Sequence, residues 1–199
     1  MNKFDHDLGV VGLGYVGLPL AVESANSKLS VLGYDINSKR VKEINNGHSP
    51  IEDISDDELE NALNNFLATD DSNLLSKCQH IVISVPTPLT DYQPDLSYVE
   101  EAAKAVGENL VPNQVIILES TTYPGTTLEI LVPNLEKYSS LKAGSDFYVG
   151  YSPERIDPGN EEWKFKNTPK VISGINEVSL NKINSFYEQI VDEVVVVKG

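Results

Sequence analysis

Cysteine, basic residues and long apolar runs are all scarce in this 199-residue sequence. Cys78 is the single cysteine, so no disulfide can form within the chain, as is typical of a protein from a reducing compartment. No stretch approaches 18 consecutive apolar residues, and the apolar run near the N-terminus is short and broken by glycines. The sequence therefore predicts neither a membrane span nor a signal peptide, and we expect a cytoplasmic protein.

The charge balance is strongly acidic, with 15 Lys and Arg against 30 Asp and Glu and a formal net charge of −15. A surface of this sign repels nucleic acid and anionic lipid, so we expect neither nucleic acid nor a membrane as a partner. His6, His48 and His80 show no metal-ligand spacing, and we predict no metal site. An anionic ligand would need positive potential supplied locally, by arginines, lysines or helix N-termini.

Short apolar runs rich in valine and isoleucine alternate with longer mixed segments along the chain. The runs do not alternate in polarity, which is typical of parallel strands covered on both faces. Predicted strands cover residues 8–11, 30–34, 66–68, 81–85, 115–119, 147–150, 171–173 and 194–197, and predicted helices cover residues 19–27, 38–46, 55–65, 97–109, 126–137 and 177–190. This alternation predicts an α/β fold of Rossmann type, a doubly wound and mostly parallel sheet with helices on both faces, in one domain over residues 1–199.

Three of the predicted helices begin with capping signals. Ser38 stands at the N-cap position of the second helix. The third and fourth helices start with serine followed three residues later by glutamate, Ser55 with Glu58 and Ser97 with Glu100, and this spacing predicts a capping box at each.

The first predicted strand runs into a G-x-G-x-x-G sequence formed by Gly12, Leu13, Gly14, Tyr15, Val16 and Gly17. Gly12 permits a tight turn, Gly14 lets the backbone approach a pyrophosphate, and Gly17 lets the following helix pack close to the strand. The phosphates would lie at a helix N-terminus, where free N–H groups favour negative charge. Since a strand precedes this hexapeptide and a helix follows it, we predict that its six residues bind a dinucleotide.

Asp35 ends the second predicted strand, at the spacing from Gly12 expected of a residue that accepts hydrogen bonds from the adenosine ribose hydroxyls. A carboxylate there repels the 2′-phosphate of NADP, although an arginine such as Arg40 can accommodate that phosphate. We predict NAD as the cofactor, with Arg40 contacting its adenosine or pyrophosphate. The alternative is a glycine-rich tight turn followed by a helix-capping aspartate.

Two long loops follow predicted strands, at residues 86–96 and 151–168. Open α/β sheets bind their ligands at the carboxyl ends of the strands, and long loops in that position are usually functional. We therefore place the candidate site at this edge of the sheet.

Four segments in order, GVVGLGYVGLPLA, IVISVPTPLT, ESTTYPGTT and GYSPERIDPGN, resemble the UDP-glucose/GDP-mannose dehydrogenase family. The resemblance covers essentially the whole chain but only the N-terminal, NAD-binding domain of that family. The SPERIDPGN and TPLTDYQPDLS segments are most similar to the subgroup that oxidises UDP-N-acetylglucosamine or UDP-N-acetylgalactosamine. The resemblance implies two successive hydride transfers from C6 of the sugar to NAD, through a cysteine thiohemiacetal and a thioester that is hydrolysed to the uronate.

The resemblance also implies roles for two loops beside the cofactor. It places Val85, Pro86 and Thr87 next to NAD, where the alternative is an ordinary proline-rich turn. It places Ser120, Thr121 and Thr122 on the nicotinamide side, with Thr121 able to orient a water molecule. Helix capping by Thr126 is the alternative there, and the two roles are compatible.

Glu154 resembles the glutamate that this family uses to handle water and protons during thioester hydrolysis. The resemblance also implies that Glu154 contacts the substrate. A glutamate in a loop is otherwise usually just solvated. Arg155, Ile156 and Asp157 follow it where the family contacts the nucleotide sugar. The UDP-glucose enzymes carry a second glutamate where this chain has Pro158, which favours the N-acetyl subgroup.

The nucleophilic thiol of this mechanism has no counterpart here. Cys78 precedes the fourth predicted strand, at the edge opposite to the ligand-binding edge, so we predict a small buried hydrophobe. The missing cysteine, and the end of the sequence directly after a strand, lead us to expect a fragment. The complete protein should continue into a helical dimerisation segment and a cysteine-bearing domain, form a homodimer, and act in capsule or other surface polysaccharide synthesis. The fragment alone should bind NAD without turning over a UDP-sugar.

Three other functions remain open at this stage. A UDP-glucose 6-dehydrogenase would share the same motifs. A non-catalytic NAD-binding module, acting as a sensor, would share the glycine loop and need no cysteine downstream. A β-hydroxyacid dehydrogenase would share the opening loop but accounts poorly for the SPE segment.

Overall fold

A computed structural model describes residues 4–90, 93–154 and 165–197. The strands are β1 (His6–Val11), β2 (Val31–Tyr34), β3 (Phe66–Thr69), β4 (Cys78–Ile83), β5 (Leu89–Thr90), β6 (Gln93–Pro94), β7 (Val115–Leu118), β8 (Tyr148–Tyr151), β9 (Lys170–Gly174) and β10 (Val194–Val196). The helices are α1 (Gly17–Asn26), α2 (Ser38–Asn45), α3 (Asp56–Ala62), α4 (Ser97–Asn109), α5 (Val132–Ser139) and α6 (Glu177–Tyr187), with a 3₁₀-helix at Ser72–Lys77 and a π-helix at Thr127–Leu131.

Eight strands form one sheet in the order β10-β9-β8-β7-β4-β1-β2-β3. From β1 the chain builds outward to β2 and β3, then crosses back to β4 and continues to β7 and β8 on the other side. All neighbours are parallel except β8 and β9, so β9 begins at the edge where the parallel strands end. The predicted Rossmann-type, mostly parallel sheet is confirmed, with all eight predicted strands in place.

Helices cover both faces of the sheet, and alternate residues of each strand point to opposite faces. Val10 belongs to a buried cluster that takes in Leu18 of α1 and Phe186 of α6. Its neighbour Val11 belongs to a second cluster, which takes in Val99 of α4. Because both faces are covered, the strands read as continuous apolar runs, as predicted.

Local capping was predicted correctly at one helix and wrongly at two. Ser55 and Glu58 form the predicted capping box at α3. At α2 the cap is Asn37 rather than Ser38, because the extended backbone of Asn37 lets its side-chain oxygen accept from the amides of the first turn. At α4 no capping box forms, because Ser97 is already helical.

The carboxylate of Asp95 takes the place of the predicted box at α4 and accepts from the Ser97 amide at 2.9 Å. The alternative of Thr126 as a side-chain cap is also wrong. Its hydroxyl donates to the Tyr123 carbonyl at 2.8 Å, and the helix that follows opens as a π-helix.

The predicted loop at residues 86–96 contains the short hairpin of β5 and β6, which the sequence did not indicate. The described part of the chain contains no helix that is both long and apolar enough to cross a bilayer.

Candidate functional site

The turn after β1 has the backbone geometry that its glycines predict. Gly12 has a φ of +93°, and a Cβ there would lie 2.9 Å from the Ser84 carbonyl oxygen. A Cβ on Gly17 would lie 1.8 Å from the Gly12 carbonyl oxygen, so the start of α1 packs against the turn without room for a side chain. A Cβ on Gly14 would meet no atom within 4 Å. The turn is thus tight at Gly12 and Gly17 and open at Gly14, where a pyrophosphate would approach.

The start of α1 faces this open space without a side chain of its own to cap it. Its N-cap residue, Val16, offers no acceptor, and the first turn contains no acidic residue. The Leu18 amide already donates to the Gly14 carbonyl at 3.0 Å, and Pro19 has no amide N–H, so the attraction for an anion comes chiefly from the positive end of the helix dipole. Tyr15 is exposed beside the start of this helix.

Asp35 is 6% exposed, just beyond the end of β2. Its Oδ2 accepts from the Leu13 amide and from the Arg40 guanidinium, both at 2.9 Å, and its Oδ1 accepts from the Asn37 amide at 2.9 Å. The side chain of Leu13 is buried in the core, so Leu13 acts here by orienting Asp35. Arg40 is thus paired with Asp35, an ion pair that the sequence analysis did not predict.

The surroundings of Asp35 are negative despite Arg40. Burial raises the pKa of the Tyr34 phenol, and the carboxylates of Asp35, Asp70 and Asp71 raise it further. Ile36, directly after Asp35, is 73% exposed, although it is a large apolar side chain. The sequence analysis missed Ile36; an isoleucine after the last residue of a buried strand was the available signal.

Side-chain hydroxyls tie together the loops that follow β1, β4 and β7. Ser84 donates towards the carbonyls of Val11 and Gly12, at 3.2 and 3.1 Å. Thr87 donates to the Thr121 carbonyl at 2.6 Å, and Ser120 donates to the Val85 carbonyl at 2.7 Å. The predicted site residues of the two later loops are therefore in direct contact.

Exposure separates the members of these loops. Ser120 is buried, and its hydroxyl is engaged with the backbone, so it holds the two loops together. Thr121 is exposed, Thr122 is half-buried, and Pro86 is exposed. Among the residues of this set that carry a hydroxyl, Thr121 is the most accessible to a ligand.

A buried group of charged side chains lies further along the same edge. It consists of Glu119 after β7, Glu154 after β8, Lys170 at the start of β9 and Tyr187 at the end of α6; we call it the ionic cluster. The Lys170 ammonium lies 2.8 Å from Glu119 Oε1 and 3.8 Å from Glu154 Oε2. The Tyr187 hydroxyl donates to Glu119 Oε1.

The ionic cluster is almost completely shielded from solvent. The side chains of Lys170 and Glu119 are 4% and 0% exposed, and that of Glu154 is 10% exposed. The ring centroids of Phe165 and Tyr187 lie 5.1 and 5.4 Å from the Lys170 ammonium. Burial, together with the Glu119 carboxylate, raises the pKa of the Tyr187 phenol well above its usual value.

Sequence reasoning found one member of the ionic cluster, Glu154, and missed the other three. Tyr187 is 68 residues from Glu119, so no local spacing links them. The only indication in the sequence was Lys170, a lysine directly before an apolar run. The predicted strand began one residue later, at residue 171, and so did not include it. Arg155, Ile156 and Asp157, the predicted substrate contacts, lie outside the described residues.

Cys78 lies far from both groups, as the first residue of β4 and at the opposite edge of the sheet. Its side chain is fully buried, and burial raises the pKa of the thiol to about 12. The prediction of a small buried hydrophobe is confirmed. Across the described residues, no three His, Cys, Asp or Glu side chains come together as a metal site would require.

Comparison with known proteins gives consistent matches. Residues 6–191 match the model of the UDP-glucose/GDP-mannose dehydrogenase family, NAD binding domain. The chain is 42% identical over 192 residues to Protein CapL of Staphylococcus aureus, covering 96% of this chain and 44% of that protein. It is 41% identical over 188 residues to the UDP-N-acetyl-D-glucosamine 6-dehydrogenase of Pseudomonas aeruginosa, covering 94% and 44%.

A solved structure of a UDP-N-acetyl-D-mannosamine dehydrogenase from Pyrococcus horikoshii superposes with a TM-score of 0.91 at 36% identity. That match covers 96% of this chain and 47% of the solved one. The chain thus spans less than half the length of these relatives.

Proposed function

Because this chain belongs to the UDP-glucose/GDP-mannose dehydrogenase family and matches its NAD-binding domain, we propose that it is the cofactor half of an NAD-dependent nucleotide-sugar 6-dehydrogenase. The proposed substrate is a UDP-N-acetylhexosamine, which is oxidised at C6 to the uronate in two successive hydride transfers. The relative from Pseudomonas aeruginosa is a UDP-N-acetyl-D-glucosamine 6-dehydrogenase, which supports this choice. The observation that carries the proposal is the meeting of Thr87, Thr121 and the Gly12 turn at one edge of the sheet.

The glycine turn after β1 and Asp35 after β2 fit the adenosine and pyrophosphate of NAD. Open space at Gly14 and the uncapped start of α1 suit the pyrophosphate. Asp35 retains acceptor capacity for ribose hydroxyls, since a carboxylate has about four lone-pair sites. Exposed Tyr15 and Ile36 offer apolar surface beside it. The carboxylates of Asp35, Asp70 and Asp71 disfavour the extra phosphate of NADP.

Two NAD molecules, bound one after the other, would each accept one of the two hydrides, and residues of this chain would hold and orient the cofactor. Val85, Pro86 and Thr87 border the cofactor, and Thr121 orients a water molecule on its nicotinamide side. Glu154 accepts a proton from the water that hydrolyses the thioester. Arg155, Ile156 and Asp157 contact the nucleotide sugar.

The chain spans 44% of the two curated relatives described above, so the complete activity belongs to a longer protein. The missing part supplies the nucleophilic cysteine and the helical segment through which two copies form a homodimer. We place this protein in the cytoplasm, in agreement with its single, reduced cysteine. The uronate product suits the synthesis of a surface polysaccharide.

Titration of the 199-residue chain with NAD and with NADP tests the cofactor assignment. We expect NAD to bind more tightly, and equal or tighter binding of NADP would refute the assignment. The same preparation should form no NADH from UDP-sugars. Measurable NADH would refute the proposal that this chain binds NAD but cannot oxidise the sugar by itself.

Assay of the full-length protein tests the reaction. The substrates to compare are UDP-N-acetylglucosamine, UDP-N-acetylgalactosamine, UDP-N-acetylmannosamine and UDP-glucose. We expect turnover of an N-acetylated sugar, with a strong loss of kcat in Glu154→Gln. Unchanged turnover in that variant would remove Glu154 from the mechanism, and a clear preference for UDP-glucose would replace the N-acetyl assignment.

A further inference from the structure

The buried pair of Lys170 and Glu119 is hard to explain by stability alone. Removing an ammonium and a carboxylate from water costs several kcal/mol for each ion, and apolar residues of similar volume often serve a fold as well or better. Both side chains are nevertheless almost fully buried and 2.8 Å apart. A buried ion pair of this kind is therefore better explained by what its charges do for a neighbour.

The neighbour is Glu154. Because β9 is antiparallel to β8, its first residue, Lys170, lies at the edge where β7 and β8 end. Glu119 and Glu154, which follow those two strands, both lie close to it. The Lys170 ammonium is then shared between two carboxylates, at 2.8 Å from Glu119 and 3.8 Å from Glu154.

Glu119 and Tyr187 keep the ammonium in place. The Tyr187 hydroxyl and the Lys170 ammonium both meet Oε1 of Glu119, and the aromatic rings of Phe165 and Tyr187 line the ammonium. Tyr187 remains a proton donor throughout the physiological range, since its pKa is raised by burial and by Glu119. Glu119 is two residues before Thr121, so the same segment anchors both the ammonium and the exposed threonine.

The contact to Glu154 is the longer of the two and lies nearer to solvent. At 3.8 Å the pair is electrostatic, and the 10% exposure of Glu154 is consistent with access for a water molecule. A positive charge at that distance favours the ionised form of a carboxylate. The arrangement combines a fixed cation with a carboxylate that remains able to accept a proton.

We propose that Lys170, held by Glu119 and Tyr187, is a positioning residue that keeps Glu154 ionised and aimed at the reaction site. This inference rests on the proposed role of Glu154 as proton acceptor in hydrolysis. Lys170 itself donates no proton to the substrate. Its effect is exerted through the charge and the orientation of Glu154.

The test uses the full-length enzyme with Lys170→Met, Lys170→Arg and Tyr187→Phe. We expect Lys170→Met to lower kcat at least tenfold with KM within about twofold, and to move the acid limb of the pH–rate profile to higher pH by about one unit. Lys170→Arg, which keeps the charge, should restore much of kcat and the native pH limb. Lys166→Met is the matched control, because Lys166 is exposed and four residues earlier; it should change neither kcat nor the profile.

Tyr187→Phe keeps the test informative if Lys170→Met does not fold. Without the hydroxyl, Glu119 loses one hydrogen-bond donor and attracts the Lys170 ammonium more strongly, away from Glu154. The acid limb of the pH–rate profile should therefore move to higher pH, as in Lys170→Met but by a smaller amount. A native pH profile and native kcat in a folded Lys170→Met, or in Tyr187→Phe when the methionine variant is unfolded, would overturn the inference.

Infrared spectroscopy without substrate or cofactor separates this inference from the proposed function. The carboxylate band of Glu154 is identified by its loss in Glu154→Gln. In Lys170→Met we expect that band to give way to the protonated form at higher pH than in the native protein. If the band shifts but Glu154→Gln turns over normally, the positioning by Lys170 stands and the catalytic role of Glu154 falls. If the band does not shift, the inference fails whatever the activity.

Discussion

The two ends of the candidate site, at the carboxyl edge of the sheet, are built from different parts of the protein. At the glycine end, formed by Gly12–Gly17 and Asp35, the site is mostly backbone: a turn with a positive φ, a helix start without a side-chain cap, and one carboxylate held by amides and Arg40. At the charged end, which is the ionic cluster of Glu119, Glu154, Lys170 and Tyr187, the site consists of buried side chains paired with one another. The glycine end is shaped by the absence of side chains, and the charged end depends on their presence.

This difference predicts how each end fails. A backbone turn tolerates no added atom where the chain packs closely, but it tolerates one where the site is open. A buried ionic cluster tolerates no loss of a partner, because the remaining charge cannot return to water. Substitutions that add an atom should therefore test the glycine end, and substitutions that remove a charge should test the charged end.

The largest effect is expected at the charged end. Lys170→Met leaves Glu119 as a buried carboxylate without its ammonium, and we expect the free energy of unfolding to fall by about 3–5 kcal/mol. Urea denaturation of the 199-residue chain measures this. Lys166→Met should change stability by less than about 0.5 kcal/mol. If Lys170→Met lowers the free energy of unfolding by less than about 1 kcal/mol, then Glu119 does not depend on the Lys170 ammonium for its burial.

The glycine end offers a matched pair of substitutions with opposite consequences. Gly17→Ala places a Cβ 1.8 Å from the Gly12 carbonyl oxygen, so we expect a loss of at least about 3 kcal/mol in stability as well as the loss of NAD binding. Gly14→Ala meets no protein atom within 4 Å, so the fold should be unchanged while NAD binding weakens at least about tenfold.

Denaturation and NAD titration of both glycine variants separate these outcomes. A stable Gly17→Ala, or an unstable Gly14→Ala, would contradict the division of the turn into a packed part and an open part.

A smaller effect is expected from Asp35→Asn. The amide keeps the shape of the side chain but removes the charge that opposes a 2′-phosphate, so the preference for NAD over NADP should fall by about tenfold or less. Fluorescence titration with both cofactors gives the ratio. Asp56→Asn, a carboxylate change at an exposed site away from the edge, should leave the ratio unchanged. If Asp35→Asn keeps the native ratio, selectivity does not come from this carboxylate.

A last effect concerns alkaline pH and draws on Cys78, which lies outside both ends. The folded-state pKa of its thiol is raised from 9.0 to about 12, so its contribution to stability is present below about pH 9 and is lost as the pH rises towards 12. Tyr187 of the charged end has a pKa raised in the same direction and should add to this loss.

Unfolding free energies measured from pH 8.5 to 10.5 test this slope. We expect Cys78→Ala and Tyr187→Phe each to flatten it, and the native thiol to resist alkylation at pH 8 until the protein unfolds. Rapid alkylation of the folded chain would show that Cys78 is not sealed in the core.

Features encoded by nearby residues could be predicted from the sequence. The alternation of strands and helices, the glycine turn, the place of Asp35 after the second strand and the Ser55 capping box all rest on residues close together in the chain or on a repeating pattern. Predictions failed where two local solutions compete for the same amides, as with Asn37 against Ser38 and Asp95 against the Ser97 box. Serine and asparagine are both good caps, and the backbone conformation decides between them.

The charged end could not be predicted because its partners are brought together only by the sheet. Lys170 meets Glu119 because β9 runs antiparallel to β8, and nothing within either segment encodes that reversal. Glu154 was identified through a family resemblance, which carried no information about the lysine beside it. Single-residue chemistry suggested a solvated glutamate, whereas the structure gives it a buried cation as a neighbour.

The strand order also fixes the spacing between the loops of the candidate site. The loops that carry Asp35, Gly12, Thr87 and Thr121 follow β2, β1, β4 and β7, which are consecutive neighbours in the sheet. Neighbouring strands lie about 4.8 Å apart, so the three intervals fix a span of about 14 Å between the first loop and the last. The distance between Asp35 and the exposed Thr121 is therefore set by hydrogen-bonded backbone rather than by loop conformation. Loop sequences can then change in evolution to suit new substrates, while the distance between the loops that an extended ligand must span stays the same.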